Sequence, residues 1–143
     1  MGKFDNKSIS ELEGWKWKGE IPKEDEWHTE YRFYQLHKKP LNELDLSDIY
    51  FLILENSGLE YLVPKAIEKL NDDLFLEVEN YSGDLFRSLL LINNEPNYWN
   101  NHPKEKQELI ELYQSQKKRL GSLGLPEDVL EKIKEAYKAF AEK

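Results

Sequence analysis

Apolar residues that recur at helical spacing constrain this sequence more than any other feature. One continuous stripe runs from Leu59 to Leu70, and a second runs from Val129 to Phe140 with Lys and Glu between its members. Steps of three and four residues place such side chains on one face of an α-helix. A chain of 143 residues is long enough to bury a core without disulfides or metal. The sequence therefore predicts a mostly all-α, compact single domain over residues 1–143.

The C-terminal part gives the clearest helix boundaries. The spacing predicts a helix over residues 103–120 that ends at Gly121, and another over 126–141. Pro126 suits the first turn of the second helix, because the missing N–H of proline costs nothing there. The link between the two helices is only a few residues long, so they are expected to pack as an antiparallel pair.

The middle of the chain leaves two alternatives open. The stripe from Leu59 to Leu70 contains Pro64, so its helix either starts just before that proline or bends at it. The six apolar residues from Ile49 to Leu54 fit a buried strand or a buried helix. Ser47 and Asp48 before them resemble a helix start, and Asn56 to Gly58 resemble a stop, which favours the helix.

Residues 15–40 give the weakest signal. The segment is polar, rich in aromatic residues, and interrupted by Gly and Pro. It predicts irregular structure with a possible short strand in residues 18–40, or a helical turn near Tyr31 to Leu36.

The stretch Ser82-Gly83-Asp84 raises the question of chemistry. It precedes an apolar run at helical spacing, and Ser or Asp at such a point accepts hydrogen bonds from the first amides of a helix. A nucleophilic serine would need a base, and none of the three histidines has a motif partner. The hydrolase motif G-x-S-x-G is also absent. We therefore interpret this stretch as the N-terminal cap of a helix.

Motifs for other chemistry are missing as well. The chain has no cysteine, which excludes disulfides and thiolate sites, and it lacks the P-loop, dinucleotide and H-E-x-x-H signatures. His28, His37 and His102 do not form a pair at helical spacing. We predict no catalytic residue, no cofactor and no metal site.

The charge distribution points to a class of partner. The formal net charge is −8, and residues 41–100 alone hold twelve acidic side chains against Lys65, Lys69 and Arg87. Such a field repels nucleic acid and attracts a basic partner. Acidity that merely keeps the protein soluble is the other interpretation.

Nothing in the sequence predicts a membrane segment. The N-terminus has no apolar signal region, and the longest apolar run, from Ile49 to Leu54, is far too short to span a bilayer. We expect a cytoplasmic protein with no membrane partner.

Aromatic residues next to charges suggest two further kinds of surface. Phe75 and Leu76 lie among acidic residues, which suits a protein interface if they are exposed and a core position if they turn inward. Trp15 and Trp17 alternate with lysines, as in single-strand binders. Nearby acids cancel those lysines, so we expect no nucleic-acid partner.

Four stretches in a fixed order carry a family resemblance. They are "SISELEGWKW", "PLNELDLSDIYFLILENSGLEYLVPKAIEKL", "YSGDLFRSLLLIN" and "YW". Together they resemble the immunity proteins of bacterial contact-dependent growth inhibition (CDI) systems, from about Ile9 to Trp99 with a looser helical tail. The residues shared with the family look like scaffold: Leu12, Gly14, Trp15, Gly58, Leu59, Leu62, Pro64, Gly83, Asp84, Leu85 and Trp99.

The resemblance implies a function and a partner. Immunity proteins of this kind bind and neutralise the C-terminal toxin domain of a surface protein delivered by neighbouring cells. Many such toxins are nucleases and several are ribonucleases, whose phosphate-binding sites are basic. Carboxylates that cover such a site would speed encounter and give specificity. The hypothesis for the toxin-binding surface names six acidic residues: Asp72, Asp73, Glu77, Glu79, Glu55 and Glu60.

Two other classes of function remain as alternatives. A helical adaptor for another protein would differ mainly in its partner. A small acid–base hydrolase would need a pocket that holds two carboxyl groups with perturbed pKa values.

Overall fold

The described residues form helices and no strand. A computed structural model describes residues 6–14, 28–92 and 98–142. Within these ranges the chain forms eight α-helices and two short 3-10 helices. The α-helices are α1 (Ile9–Glu13), α2 (His28–Lys38), α3 (Leu46–Leu54), α4 (Leu59–Asp72), α5 (Asp84–Leu90), α6 (Tyr98–Asn101), α7 (Pro103–Gln116) and α8 (Glu127–Glu142); the 3-10 helices are Leu41–Glu43 and Lys117–Ser122.

The predicted all-α fold is confirmed, and most predicted helices are present. The helix is the correct alternative for the apolar run in α3, and α4 begins at Leu59 and continues through Pro64. The possible strand is wrong for residues 28–38, which form α2, while residues 18–27 lie outside the described ranges. The polar and aromatic residues of α2 hide its helical period, which explains the error.

The chain divides into two compact units, residues 1–52 and 53–143. The expectation of a single domain over the whole chain therefore stays a prediction. In the first unit Asp48 is the main polar contact. It accepts from the backbone amide of Asp45 at 3.2 Å and lies 3.5 Å from Arg32 and 3.6 Å from Lys39. These contacts connect α2 to the start of α3.

In the second unit the apolar stripe of α8 packs on α5. Ile133, Ala136, Tyr137 and Phe140 form the buried face of α8. Each large side chain buried in this way contributes about 1.5–3 kcal/mol relative to full exposure. Tyr113 of α7 stacks on Tyr137 with ring centres 3.7 Å apart.

The predicted antiparallel pairing of α7 and α8 stays a prediction, although side chains of the two helices meet at several points. Lys106, near the start of α7, lies over the ring of Phe140 near the end of α8. Gln114, near the end of α7, donates to the hydroxyl of Tyr137 at 2.9 Å. The 3-10 helix Lys117–Ser122 replaces the last turn predicted for α7.

The loop between α4 and α5 is organised by Asp84, which is 1% exposed. Its carboxylate accepts hydrogen bonds from the amides of Val78, Glu79 and Asn80 at 2.8–2.9 Å, and from Leu85 at 2.8 Å. The cap position of α5 is Gly83, which makes no side-chain cap hydrogen bond, whereas Asp84 at the first helical position accepts from the amide of Leu85. It also holds the preceding loop, which the sequence pattern does not indicate.

Gly83 is required at the turn into α5. Its φ is +91°, a backbone conformation that side chains with a Cβ rarely adopt. A Cβ at this position would also lie 3.2 Å from Cδ1 of Ile133 on α8. The turn therefore allows α8 to approach the loop closely.

Substituting Asp84 by Asn tests how much this carboxylate stabilises the fold. An asparagine side chain has one acceptor oxygen, so its amide nitrogen would face two backbone N–H donors. We expect Asp84→Asn to lower the free energy of unfolding by about 2–4 kcal/mol in urea titrations, because buried donors lose a charged acceptor. Asp72→Asn, at an exposed position, is the control and should change it by less than about 0.5 kcal/mol. Equal stability of the two variants would contradict this role of Asp84.

Candidate functional site

The six acidic residues of the hypothesis lie in three places in the second unit. Glu55 follows α3 and Glu60 lies in the first turn of α4, whereas Asp72 and Asp73 lie at the other end of α4. Glu77 and Glu79 belong to the loop that Asp84 holds. With a rise of 1.5 Å per residue, Glu60 and Asp72 are separated by roughly 18 Å along the helix. The structure therefore does not gather the six into one cluster.

Two of these carboxylates have basic partners, although residues 41–100 hold only three lysine and arginine side chains. Asp73 lies 3.2 Å from the guanidinium of Arg119, and Glu60 lies 3.2 Å from Nε2 of His102. Both partners come from beyond residue 100. The charge count of the middle segment misses them because folding brings the C-terminal segment against α4.

The other four side chains, Glu55, Asp72, Glu77 and Glu79, are exposed. The backbone of the loop that carries Glu77 and Glu79 is fixed by its hydrogen bonds to Asp84. A fixed loop loses little conformational entropy when it binds a partner.

The aromatic residues of this region do not supply an exposed anchor. Phe75 is 2% exposed and packs edge-on against Phe86, with ring centres 6.0 Å apart. The inward alternative for Phe75 is therefore correct. Trp15 and Trp17 lie outside the described residues.

An acidic groove between α4 and α7 is a feature that the sequence hypothesis missed. It is open and has a volume of about 370 Å³. Six residues line it: Pro64, Ile67, Glu68, Asn71, Glu105 and Glu108. On α4 the lining residues are spaced by three and four positions, and Glu105 and Glu108 are three apart on α7. The sequence shows this spacing on each helix, so it could have indicated a polar face on each. It does not show that α4 packs against α7.

A polar cluster adjoins the groove and shares Glu105 with it. The hydroxyl of Tyr98 lies 3.2 Å from both carboxylate oxygens of Glu105. The ring of His102 stacks on that of Tyr98 at 3.8 Å, and its Nδ1 lies 2.7 Å from the Tyr98 carbonyl oxygen. Its Nε2 faces Glu60. The cluster thus connects α4, α6 and the start of α7.

The cluster shifts the protonation of its members. Burial raises the pKa of Glu105, and repulsion from Glu60 and Glu108 acts in the same direction, while Tyr98 and His102 oppose it. Burial also raises the pKa of Tyr98. For His102, burial favours the neutral form, but the Tyr98 carbonyl and Glu60 outweigh it and raise the pKa.

Among the described residues, no three His, Asp or Glu side chains are arranged to hold a metal ion. No helix in the described ranges is both long and apolar enough to cross a membrane.

Comparison with known proteins decides the family. A family model described as CDI immunity proteins matches residues 11–109. The chain belongs to the CDI immunity protein family. No curated protein and no solved structure gives a significant match.

Membership of this family indicates an immunity protein that neutralises a toxin. Most of the described residues shared with the family have structural positions, as expected for scaffold residues. Leu62, Asp84, Leu85 and Trp99, for example, are buried. The indole of Trp99 donates to the carbonyl oxygen of Leu89 at 3.0 Å. Pro64 differs, because it is exposed and lines the groove.

Histidine titration by NMR tests the cluster. We expect His102 to titrate above the ordinary value of about 6.5 and His37 below it, since burial lowers the pKa of His37. A raised folded-state pKa means that the His102–Glu60 pair stabilises the fold fully below the unfolded pKa. This stabilisation is lost as the pH rises through the folded pKa.

Glu60→Gln supplies the control for this titration. It should lower the pKa of His102 and leave that of His37 unchanged. A His102 pKa that does not respond to Glu60→Gln would show that the contact is not formed in solution.

Proposed function

We propose that this chain is a non-catalytic inhibitor that binds the C-terminal toxin domain of a CDI surface protein in the cytoplasm. The family match over residues 11–109 is the observation that carries the proposal. The proposed toxin activity is that of a nuclease, because the inhibitor offers the charge that a phosphate-binding site attracts.

The acidic surface is proposed to cover the toxin's substrate site. Glu55, Asp72, Glu77 and Glu79 contribute exposed carboxylates, while Glu60 and Asp73, which we also assign to the interface, have basic partners within the chain. Carboxylates that face a basic site speed association and reject partners without that charge. Inhibitor and nucleic acid would then compete for the same positive region of the toxin.

A hydrolase is the second candidate that an observation favours. The groove holds Glu105, whose pKa is raised, with Glu68 and Glu108 also in its lining. Structural networks of interacting charges also shift pKa values, and family membership favours the inhibitor. A Glu105→Gln variant whose protection of cells falls only as far as its affinity for the toxin falls would speak against catalysis.

Protection and affinity measurements test the inhibitor directly. Co-expression with the toxin domain encoded beside this chain should restore growth. Asp72→Lys with Glu77→Lys should weaken binding at least tenfold and reduce its salt dependence, because two attractive charges become repulsive. Asp73 is left intact because it bonds to Arg119 and to the amide of Phe75.

The matched control is Glu131→Lys with Glu135→Lys on the exposed face of α8, which changes the net charge equally. Equal affinities of the two double variants would contradict the placement of the interface at Asp72 and Glu77. Absence of both binding and protection by the wild type would contradict the inhibitor function itself.

A further inference from the structure

The α4/α7 groove combines an apolar floor with a carboxylate rim. Pro64 and Ile67 of α4 supply the apolar part of the lining, and Glu68, Glu105 and Glu108 supply the carboxylates. A long basic side chain has the same two parts, an aliphatic stem and a charged head. The apolar floor of the groove therefore suits the aliphatic stem of an arginine or lysine side chain, and the carboxylate rim suits its charged head.

The rim carboxylates have polar contacts, and among the described residues of this unit no lysine or arginine forms an ion pair with them, although the charge of His102 opposes the rise in the pKa of Glu105. Glu105 accepts from the Tyr98 hydroxyl, and Glu108 accepts from the side-chain amide of Asn71 at 2.7 Å. The ion pairs found in these parts of the chain join His102 to Glu60 and Arg119 to Asp73. The negative charge of the rim thus stays available to a partner.

The rim is also held in place before any partner arrives. Asn71 donates a second hydrogen bond, to the carbonyl oxygen of Ile67 at 3.0 Å, so it orients Glu108 from α4. Tyr98 orients Glu105 from α6. Carboxylates that are already oriented bind a cation with a smaller entropic cost.

From these observations we infer that the α4/α7 groove is a docking site for a basic segment of the toxin, whose arginine or lysine side chain lies along Pro64 and Ile67 and ends at Glu105 and Glu108. This inference rests on the proposed function, and it specifies which chemical groups of the inhibitor recognise the toxin. It adds Glu68, Glu105 and Glu108 to the surface.

The test uses the full chain and the toxin domain encoded beside it. In Glu105→Gln with Glu108→Gln the amide oxygens can still accept from Tyr98 and Asn71, so shape and internal hydrogen bonds are kept while two charges are removed. Glu131→Gln with Glu135→Gln on α8 removes the same charge from an exposed helix face. Affinities are measured by calorimetry at two salt concentrations.

We expect the groove variant to lose at least tenfold in affinity and part of its salt dependence, and the α8 variant to lose less than threefold in affinity. Equal losses in the two variants, with the wild type still binding, would overturn the groove and leave the inhibitor function intact. A wild type that does not bind would overturn both.

A second measurement does not depend on the variants folding. Addition of unlabelled toxin domain to the isotope-labelled wild type should shift the side-chain amide signals of Asn71, which lies in the groove. Unchanged Asn71 signals at saturation would overturn the groove as the docking site.

Discussion

Four hydrogen bonds to the carboxylate of Asp84 fix the turn on which the second unit depends. Three come from the loop that follows α4 and one from the start of α5. These hydrogen bonds fix the loop next to α8, where the side chain of Ile133 lies close to Gly83. A buried carboxylate is stable only where donors surround it, so the loop and the charge depend on each other. This interaction also presents Glu77 and Glu79 on a fixed backbone.

Helix α4 connects this core to both candidate surfaces. Its apolar stripe is buried, while Pro64, Glu68 and Asn71 line the groove with α7. The end of α4 carries Asp72 and Asp73, and its first turn carries Glu60. Changes that disturb the packing of α4 are therefore expected to affect the groove and the acidic loop together.

Helical spacing predicted the fold well because it reports burial directly. The stripe from Leu59 to Leu70 became one buried helix face, and the stripe on α8 is buried from Ile133 to Phe140, while Val129 and Leu130 are half-buried. The segment around Tyr31 gave no such pattern, so a short strand and a helical turn near Tyr31 to Leu36 were both left open, and the helical alternative is correct. The spacing of apolar residues along one segment indicates which face of a helix is buried, but it does not indicate which two helices pack together.

The candidate site was less predictable for the same reason. A charge count along the chain identified the acidic segment, but it could not show that Arg119 pairs with Asp73 or that His102 pairs with Glu60. It also could not join Glu105 and Glu108 to Glu68, because these residues are distant in sequence. Family membership indicates the function, and the surface for it is our proposal from the fold.

The salt dependence of wild-type affinity for the neighbouring toxin domain tests the central claim most directly. An inhibitor that meets a basic site through carboxylates should bind tightly at low salt and weaken steeply as salt screens those contacts. Tight binding that does not change with salt would contradict an electrostatic interface and place the contact on apolar residues.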